Sequence, residues 1–218
     1  MPDRLALFGD VHANEPALKA VLRAITKGGF TKGLCTGDLV MRGSEPDECV
    51  TLVRELGWPC VIGNTDRKTA NRARRDPDSP KAARIGSRAW TTNQLSGTNL
   101  AYLGGLSLVE RVTLRGRTVV LMHGGPDDPR EAVEASTPEK ELRRLVEELG
   151  SPDCVVSGHT HAPLVREAAG CLFVNPGSVG EALDGDRRPR WGWLEATKSA
   201  LRAHLERVPE DLARVRTP

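Results

Sequence analysis

Nowhere in the chain do about 18 apolar residues follow one another, the length a helix needs to cross a bilayer. That lack argues against a helical membrane span. The N-terminus has no apolar core of a secretory signal, so the expected compartment is the cytoplasm. A charge excess is missing too. Thirty-one Lys and Arg face 29 Asp and Glu, a formal net charge of +2. That balance gives no reason to expect a nucleic acid or a membrane as partner of the whole chain. Cysteine is sparse and unpatterned. Cys35, Cys49, Cys60, Cys154 and Cys171 are odd in number, and no two have Cys-x-x-Cys spacing. They read as small buried hydrophobes in a reducing compartment, not as metal ligands. Internal repeats and low-complexity segments are absent. Histidine is scarce, at five residues in 218, and its placement is the most informative feature of the chain.

The length suits one compact domain, read as residues 1–207 with a loose tail at 208–218. "RLALFGD" (4–10) reads as a strand, and "EPALKAVLRAITKGG" (15–29) as an amphipathic helix opened by Pro and closed by Gly. "GLCTGD" (33–38), "EPDECVTLVRELG" (45–57) and "WPCVIGN" (58–64) repeat the alternation, predicting a parallel sheet with right-handed crossovers. Residues 67–88 break it with Arg67, Lys68, Arg72, Arg74, Arg75, Lys81, Arg84 and Arg88 around "DPDSP". With two short helices over 89–106, this reads as a basic helical insertion (67–105) over the site. An antiparallel pair turns at Arg115-Gly116. A helix follows over 137–150 with Thr137 as N-cap, then a strand over 152–161. The remainder reads as short antiparallel strands. The expected fold class is α/β, two packed sheets with helices outside.

Five apolar segments end alike: "LALFGDVH", "GLCTGDL", "CVIGNTD", "VVLMHGG" and "CVVSGHTH". Each runs through a small residue or Gly to a metal-capable side chain. In an open α/β sheet the carboxyl ends of strands form the ligand crevice. Asp10, His12, Asp38, Asn64, His123, His159 and His161 should converge there. Any one of them alone is an ordinary residue: Asp10 and Asp38 could be turn residues, and Asn64 after Gly is most simply a turn. Yet four of the five His lie at these ends, and His204 alone falls in an ordinary strand. His159 and His161, two apart, would point the same way on an extended backbone. Three oxygen donors and four imidazoles without thiolate suit two divalent ions of the Mn, Fe, Co, Ni or Zn type. Such pairs share a carboxylate and stand roughly 3.5–4 Å apart.

The order Asp-x-His, Gly-Asp, Gly-Asn, His-Gly, Gly-His-x-His resembles the calcineurin-like metallophosphoesterase superfamily. "NPGSVG" (175–180) extends the likeness toward its small bacterial and archaeal phosphodiesterases. The resemblance implies a four-layer α-β-β-α sandwich of two mixed sheets. It implies a first ion on Asp10, His12 and His161, a second on Asn64, His123 and His159, and Asp38 between them. Manganese is the first expectation for both ions. The implied reaction is attack by a metal-bridging hydroxide on a phosphodiester, or a related ester or anhydride, of a small nucleotide-like substrate. A phosphomonoesterase and a dinucleoside-polyphosphate hydrolase stay open as alternatives.

"GDLVMRG" (37–43) also resembles the Gly-Asp-x-Val-Asp-Arg-Gly stretch of serine/threonine phosphatases and diadenosine-tetraphosphate hydrolases. That nominates Arg42 to grip phosphate, although Met41 departs from the pattern and a solvent-facing turn Arg is the plain alternative. Asn14 is either a supporting residue of the site or a helix cap. Thr65 stands where many members have His, and it has no usable pKa for acid work. The leaving group then needs no acid, or Asp66 or a metal-bound water supplies the proton. The basic insertion could meet a nucleotide's second phosphate or base, a nucleic-acid backbone, or only solvent. A non-catalytic scaffold, like the retromer subunit of this fold, and a nuclease are the competing classes. Homo-oligomer formation is left open.

Overall fold

The computed structural model describes residues 3–71 and 80–210. Arg72, Arg74, Arg75 and most of "DPDSP" lie outside them, as does the expected tail beyond residue 210. The N-terminal half alternates as the sequence predicts: β1 (Asp3–Phe8), α1 (Glu15–Lys27), β2 (Gly33–Cys35), α2 (Pro46–Leu56). Helices α3 (Asn64–Ala70), α4 (Pro80–Ala83), α5 (Arg88–Gln94) and α6 (Gly97–Gly104) follow. The second half holds β3 (Val109–Leu114), β4 (Arg117–Met122), α7 (Glu139–Glu148), β5 (Cys154–Val156), β6 (Leu164–Ala168), β7 (Cys171–Asn175), β8 (Arg190–Ala196) and β9 (Leu201–Arg207).

The strands make two mixed sheets, ordered β2-β1-β8-β9 and β3-β4-β5-β7-β6. The first pairs β1 with β2 in parallel and with β8 antiparallel. The second is parallel through β4, β5 and β7 and antiparallel at both edges. Side-chain alternation along the strands sorts the core into layers. Leu5 and Leu7 of β1 meet Val119 and Leu121 of β4, with Cys154 and Val156 of β5, between the sheets. Ala6 and Phe8 turn the other way onto α1 and α2. Val120, Met122 and Val155 turn onto Leu142 and Val146 of α7. This is the expected α-β-β-α sandwich. Strands buried on both faces read as unbroken apolar runs, which is why they are legible in the sequence.

Four local expectations are corrected. Residues 58–64 form no strand; two isolated bridges, Cys35 to Cys60 and Val61 to Ser107, take the place of a ladder. Thr137 does not cap α7. Pro138 holds that position, and the Thr137 hydroxyl accepts instead from the Glu134 amide. The strands after His161 are not all antiparallel, since β7 runs parallel to β5. Val208, placed in the tail by sequence, is fully buried in the core beside α1. All five cysteines are free and buried. Among the described residues no helix is long and apolar enough to cross a membrane.

Candidate metal centre

The two sheets pack face to face, and loops at their strand ends from each contribute to the centre. The loop after β1 brings Asp10 and His12, and the loop after β2 brings Asp38. From the second sheet, His123 follows β4, and His159 and His161 follow β5. Asn64 is the first residue of α3. Five of these seven, Asp10, His12, Asp38, His159 and His161, have positive φ, between 50° and 69°. Residues other than Gly occupy that region rarely, at a cost of roughly 1–2 kcal/mol each. Asp10, His12 and Asp38 stay there because the two sheet-one loops continue the parallel ladder beyond their strands. Asp10 donates its amide to the Gly37 carbonyl, His12 to Asp38 and Ala13 to Leu39, each at 2.9 Å. The Gly43 amide closes the second loop onto the His12 carbonyl.

Close approach needs glycine at two points. A Cβ on Gly63 would stand 2.1 Å from Asp38 Oδ1 and 2.2 Å from its backbone nitrogen. A Cβ on Gly158 would stand 2.6 Å from Thr36 Oγ1 and 2.9 Å from Asp10 Oδ2.

The side chains then converge. His12 Nε2 lies 2.9 Å from His161 Nε2, and His161 Nε2 lies 3.5 Å from Asp10 Oδ1. Asp38 turns Oδ2 toward His12 Nε2 at 3.8 Å and Oδ1 toward His123 Nε2 at 3.5 Å. Asn64 Oδ1 is 3.3 Å from His123 Nε2. Among the described residues two groups have donor atoms that all lie within 4.8 Å of one another: Asp10, His12 and His161, and Asp10, Asp38 and His123. His159 flanks them. Its ring meets His123 edge to face at 5.3 Å, while its amide donates to Asp10 Oδ2. The positive φ values of His159 and His161 overturn the extended-backbone expectation for this pair. One ring packs on His123 and the other on His12.

Hydrogen bonds behind the rings set their tautomers. His123 Nδ1–H donates to the Thr36 carbonyl at 2.7 Å, and His161 Nδ1–H to the Glu181 carbonyl at 2.9 Å. Both Nε2 lone pairs therefore face the centre, the usual arrangement behind metal-binding imidazoles. Burial holds His12 down to about 3 and His161 to about 4, with Arg42 lowering both further, so both rings are neutral. Burial also lowers His159, with His123 second. Asp10 is pushed well up by burial and then by Asp38. For Asp38 burial pushes up, but His123, His12 and the Thr65 amide together bring the carboxyl below its ordinary value. Asp10 Oδ1 and His12 Nδ1 are buried without any hydrogen-bond partner. An unpaired buried carboxylate oxygen facing neutral imidazole lone pairs is costly unless a cation joins it. On that chemistry the residues present fit a divalent ion.

Around the centre, Thr65 and Asp66 face inward. Thr65 donates its amide to Asp38 Oδ1 at 2.8 Å and its hydroxyl to the Val40 carbonyl at 2.9 Å. Asp66 is fully buried; Oδ1 accepts from the Leu39 and Val40 amides and Oδ2 from Gly63. Burial, with Asp38 second, pushes its carboxyl up to about 7. Arg42, at φ 72°, is half exposed on a cavity of about 420 Å³ shared with His12, Asn14 and Glu181. Its guanidinium is paired with the Glu181 carboxylate. Asn14 is a helix cap, accepting from the Ala17 amide, and also donates to the Gly180 carbonyl.

Sequence reasoning did not find Glu181, which follows "NPGSVG" directly and touches both His161 and Arg42. Nor did it give that motif a task. Ser178 donates to the Asp10 carbonyl, and Asn175 to the Gly158 carbonyl, so the motif ties the β1 and β5 loops together. The Thr36 carbonyl left no signal, because any residue could supply it.

Solved structures share this architecture, and a relative matches the chain in sequence. A metallophosphoesterase from Sphaerobacter thermophilus superposes with a TM-score of 0.75 at 29% identity, over 98% of this chain and 97% of that one. The hypothetical protein PH1004 of Pyrococcus horikoshii OT3 gives 0.77 at 16% identity, over 97% and 96%. The uncharacterized protein MJ0912 of Methanocaldococcus jannaschii is 31% identical over 196 residues, 83% of this chain and 78% of its own length. With the calcineurin-like phosphoesterase superfamily domain matched over residues 4–198, the chain belongs to that superfamily.

Proposed function

We propose that this protein is a divalent-metal-dependent phosphoesterase acting on phosphodiester, or related ester and anhydride, bonds of small nucleotide-like substrates. Asp10, His12 and His161 would hold one ion, Asn64, His123 and His159 a second, and Asp38 both. The observation that carries the reading is the Asp38 carboxylate, with one oxygen facing His12 and the other His123. Bound there, two divalent ions supply Lewis acidity and lower the pKa of water toward neutrality.

The chain's own residues supply the rest. The Thr36 and Glu181 carbonyls hold His123 and His161 in the tautomer that offers Nε2. The Thr65 amide orients Asp38, and Asp66 pins the Leu39, Val40 and Gly63 amides so that the Asp38 and Asn64 loops keep their spacing. We assign Asp66 to positioning: with both oxygens on amides it has no face for a leaving group. Arg42, at the open side, grips non-bridging phosphate oxygens once substrate displaces Glu181. A scaffold role is disfavoured by Asp10 Oδ1 and His12 Nδ1 being kept buried and unpaired at a cost in stability.

The test is metal reconstitution with Mn, Fe, Co, Ni and Zn, elemental analysis, and assay on bis-p-nitrophenyl phosphate, cyclic nucleotides and dinucleotides. About two ions per chain and diester hydrolysis are expected, with Asp38→Asn weakening both ions. One tightly held ion and no hydrolysis with any metal would overturn the enzyme and leave the scaffold.

A further inference from the structure

Beside the centre lies a second cavity, of about 340 Å³, lined by Asn64, Arg67, Lys68, Asn71, Arg88, Asp128, Pro129 and Arg130. We propose that it receives a second phosphate of the substrate, so that the preferred substrate is a nucleotide-sized phosphodiester bearing another phosphate at its far end. The inference rests on the phosphoesterase reading of the metal centre.

Three observations carry it. The cavity opens at the centre: Asn64 lines it and also places Oδ1 3.3 Å from His123 Nε2. Its charge is one-sided. Among the described residues four cations line it against one acid, and that acid, Asp128, already accepts both Nε and Nη2 of Arg130. Arg67, Lys68 and Arg88 remain as like charges around one hollow, a self-repulsion that an anion relieves. The cations also arrive from three separate segments: α3, the first residue of α5, and the loop after β4. A merely solvated helix face accounts for Arg67 and Lys68 at the last turn of α3, where cations suit the helix dipole. It does not account for Arg88, at the opposite end of its helix, on the same cavity. The volume is that of a small-ligand pocket and suits one nucleotide unit, not a polymer track.

Two substrates that differ by one phosphate decide the matter: thymidine 5′-(p-nitrophenyl phosphate) and its 3′-phosphorylated form. In the manganese-loaded protein kcat/KM should favour the 3′-phosphorylated diester by about tenfold, the scale of one charge-assisted contact. In Arg67→Ala/Lys68→Ala, and separately in Arg88→Gln, that ratio should fall toward one. Metal-free protein titrated with thymidine 3′,5′-bisphosphate by calorimetry should bind it, and bind it more weakly in both variants. An active enzyme with no preference between the two diesters overturns this inference and leaves the proposed function standing. If no metal supports hydrolysis, that function falls, and calorimetry alone decides the cavity: unchanged binding in the variants overturns it. Tighter binding of an oligothymidylate than of the bisphosphate overturns it in favour of a polynucleotide groove.

Discussion

Asp66 Oδ1 accepts the backbone N–H of Leu39 at 2.8 Å, across 27 residues of sequence and inside a fully buried site. A carboxylate with amides on both oxygens holds two loops in register. Asp66→Asn presents an NH₂ group where only acceptors are wanted, so one buried amide loses its partner. The expected loss is about 2–3 kcal/mol of unfolding free energy by urea titration, together with weaker metal binding. A catalytic acid would behave otherwise, with a rate loss on alkyl esters and unchanged stability.

Metal removal should soften the whole fold. Asp10 and Asp38 lie buried side by side, and cations would offset that repulsion. At 100-fold excess over Kd, a ligand bound only by the folded state adds about 2.7 kcal/mol. Chelation should therefore lower Tm by roughly 5–10 °C for a chain of this size. A Tm unmoved by chelator in protein shown to carry metal would mean that the ions are peripheral.

Arg42 and Glu181 should pull in opposite directions. Arg42→Ala should leave metal content intact and lower kcat/KM by roughly 100- to 1000-fold, the scale of one lost charge-stabilising donor. Glu181→Gln keeps the carbonyl that orients His161 but frees the guanidinium from its ion pair. KM should then fall by roughly threefold, since half-exposed pairs contribute under about 1 kcal/mol. Equal kinetics in wild type and both variants would return Arg42 to a solvated turn.

Leaving-group dependence arises from Thr65 and Asp66 facing inward. With the Thr65 hydroxyl on Val40 and the Asp66 oxygens on amides, neither side chain offers the departing oxygen a proton. Rates across a series of aryl and alkyl diesters should fall steeply as the leaving-group pKa rises. A flat series would show that another group delivers the proton.

How much of the fold and the centre is legible in the sequence depends on what each feature rests on. Strands such as Leu5–Phe8 and Val119–Met122 are buried on both faces, so their apolar runs announce them. Helices α1 and α2 carry Pro near the start and Gly after the end. Residues 58–64 share the apolar character of a strand, but two isolated bridges replace a ladder, and composition cannot tell those apart. The turn at His159 and His161 escapes a reading by alternation, because the backbone there is left-handed. Glu181 is invisible in the sequence because its contacts are with residues 20 and 139 positions away, one of them through its backbone carbonyl.

The pairing of β1 has a consequence for how the chain is made. One edge of β1 meets β2 early, but the other waits for β8, at residues 190–196. On a ribosome, the N-terminal βαβ unit emerges with an apolar strand edge uncovered, and with Asp10 and Asp38 adjacent but without His161. Such an edge invites wrong pairing with other chains. The centre can close only when most of the protein has been synthesised, so a prematurely released fragment is both an aggregation hazard and incapable of stray hydrolysis.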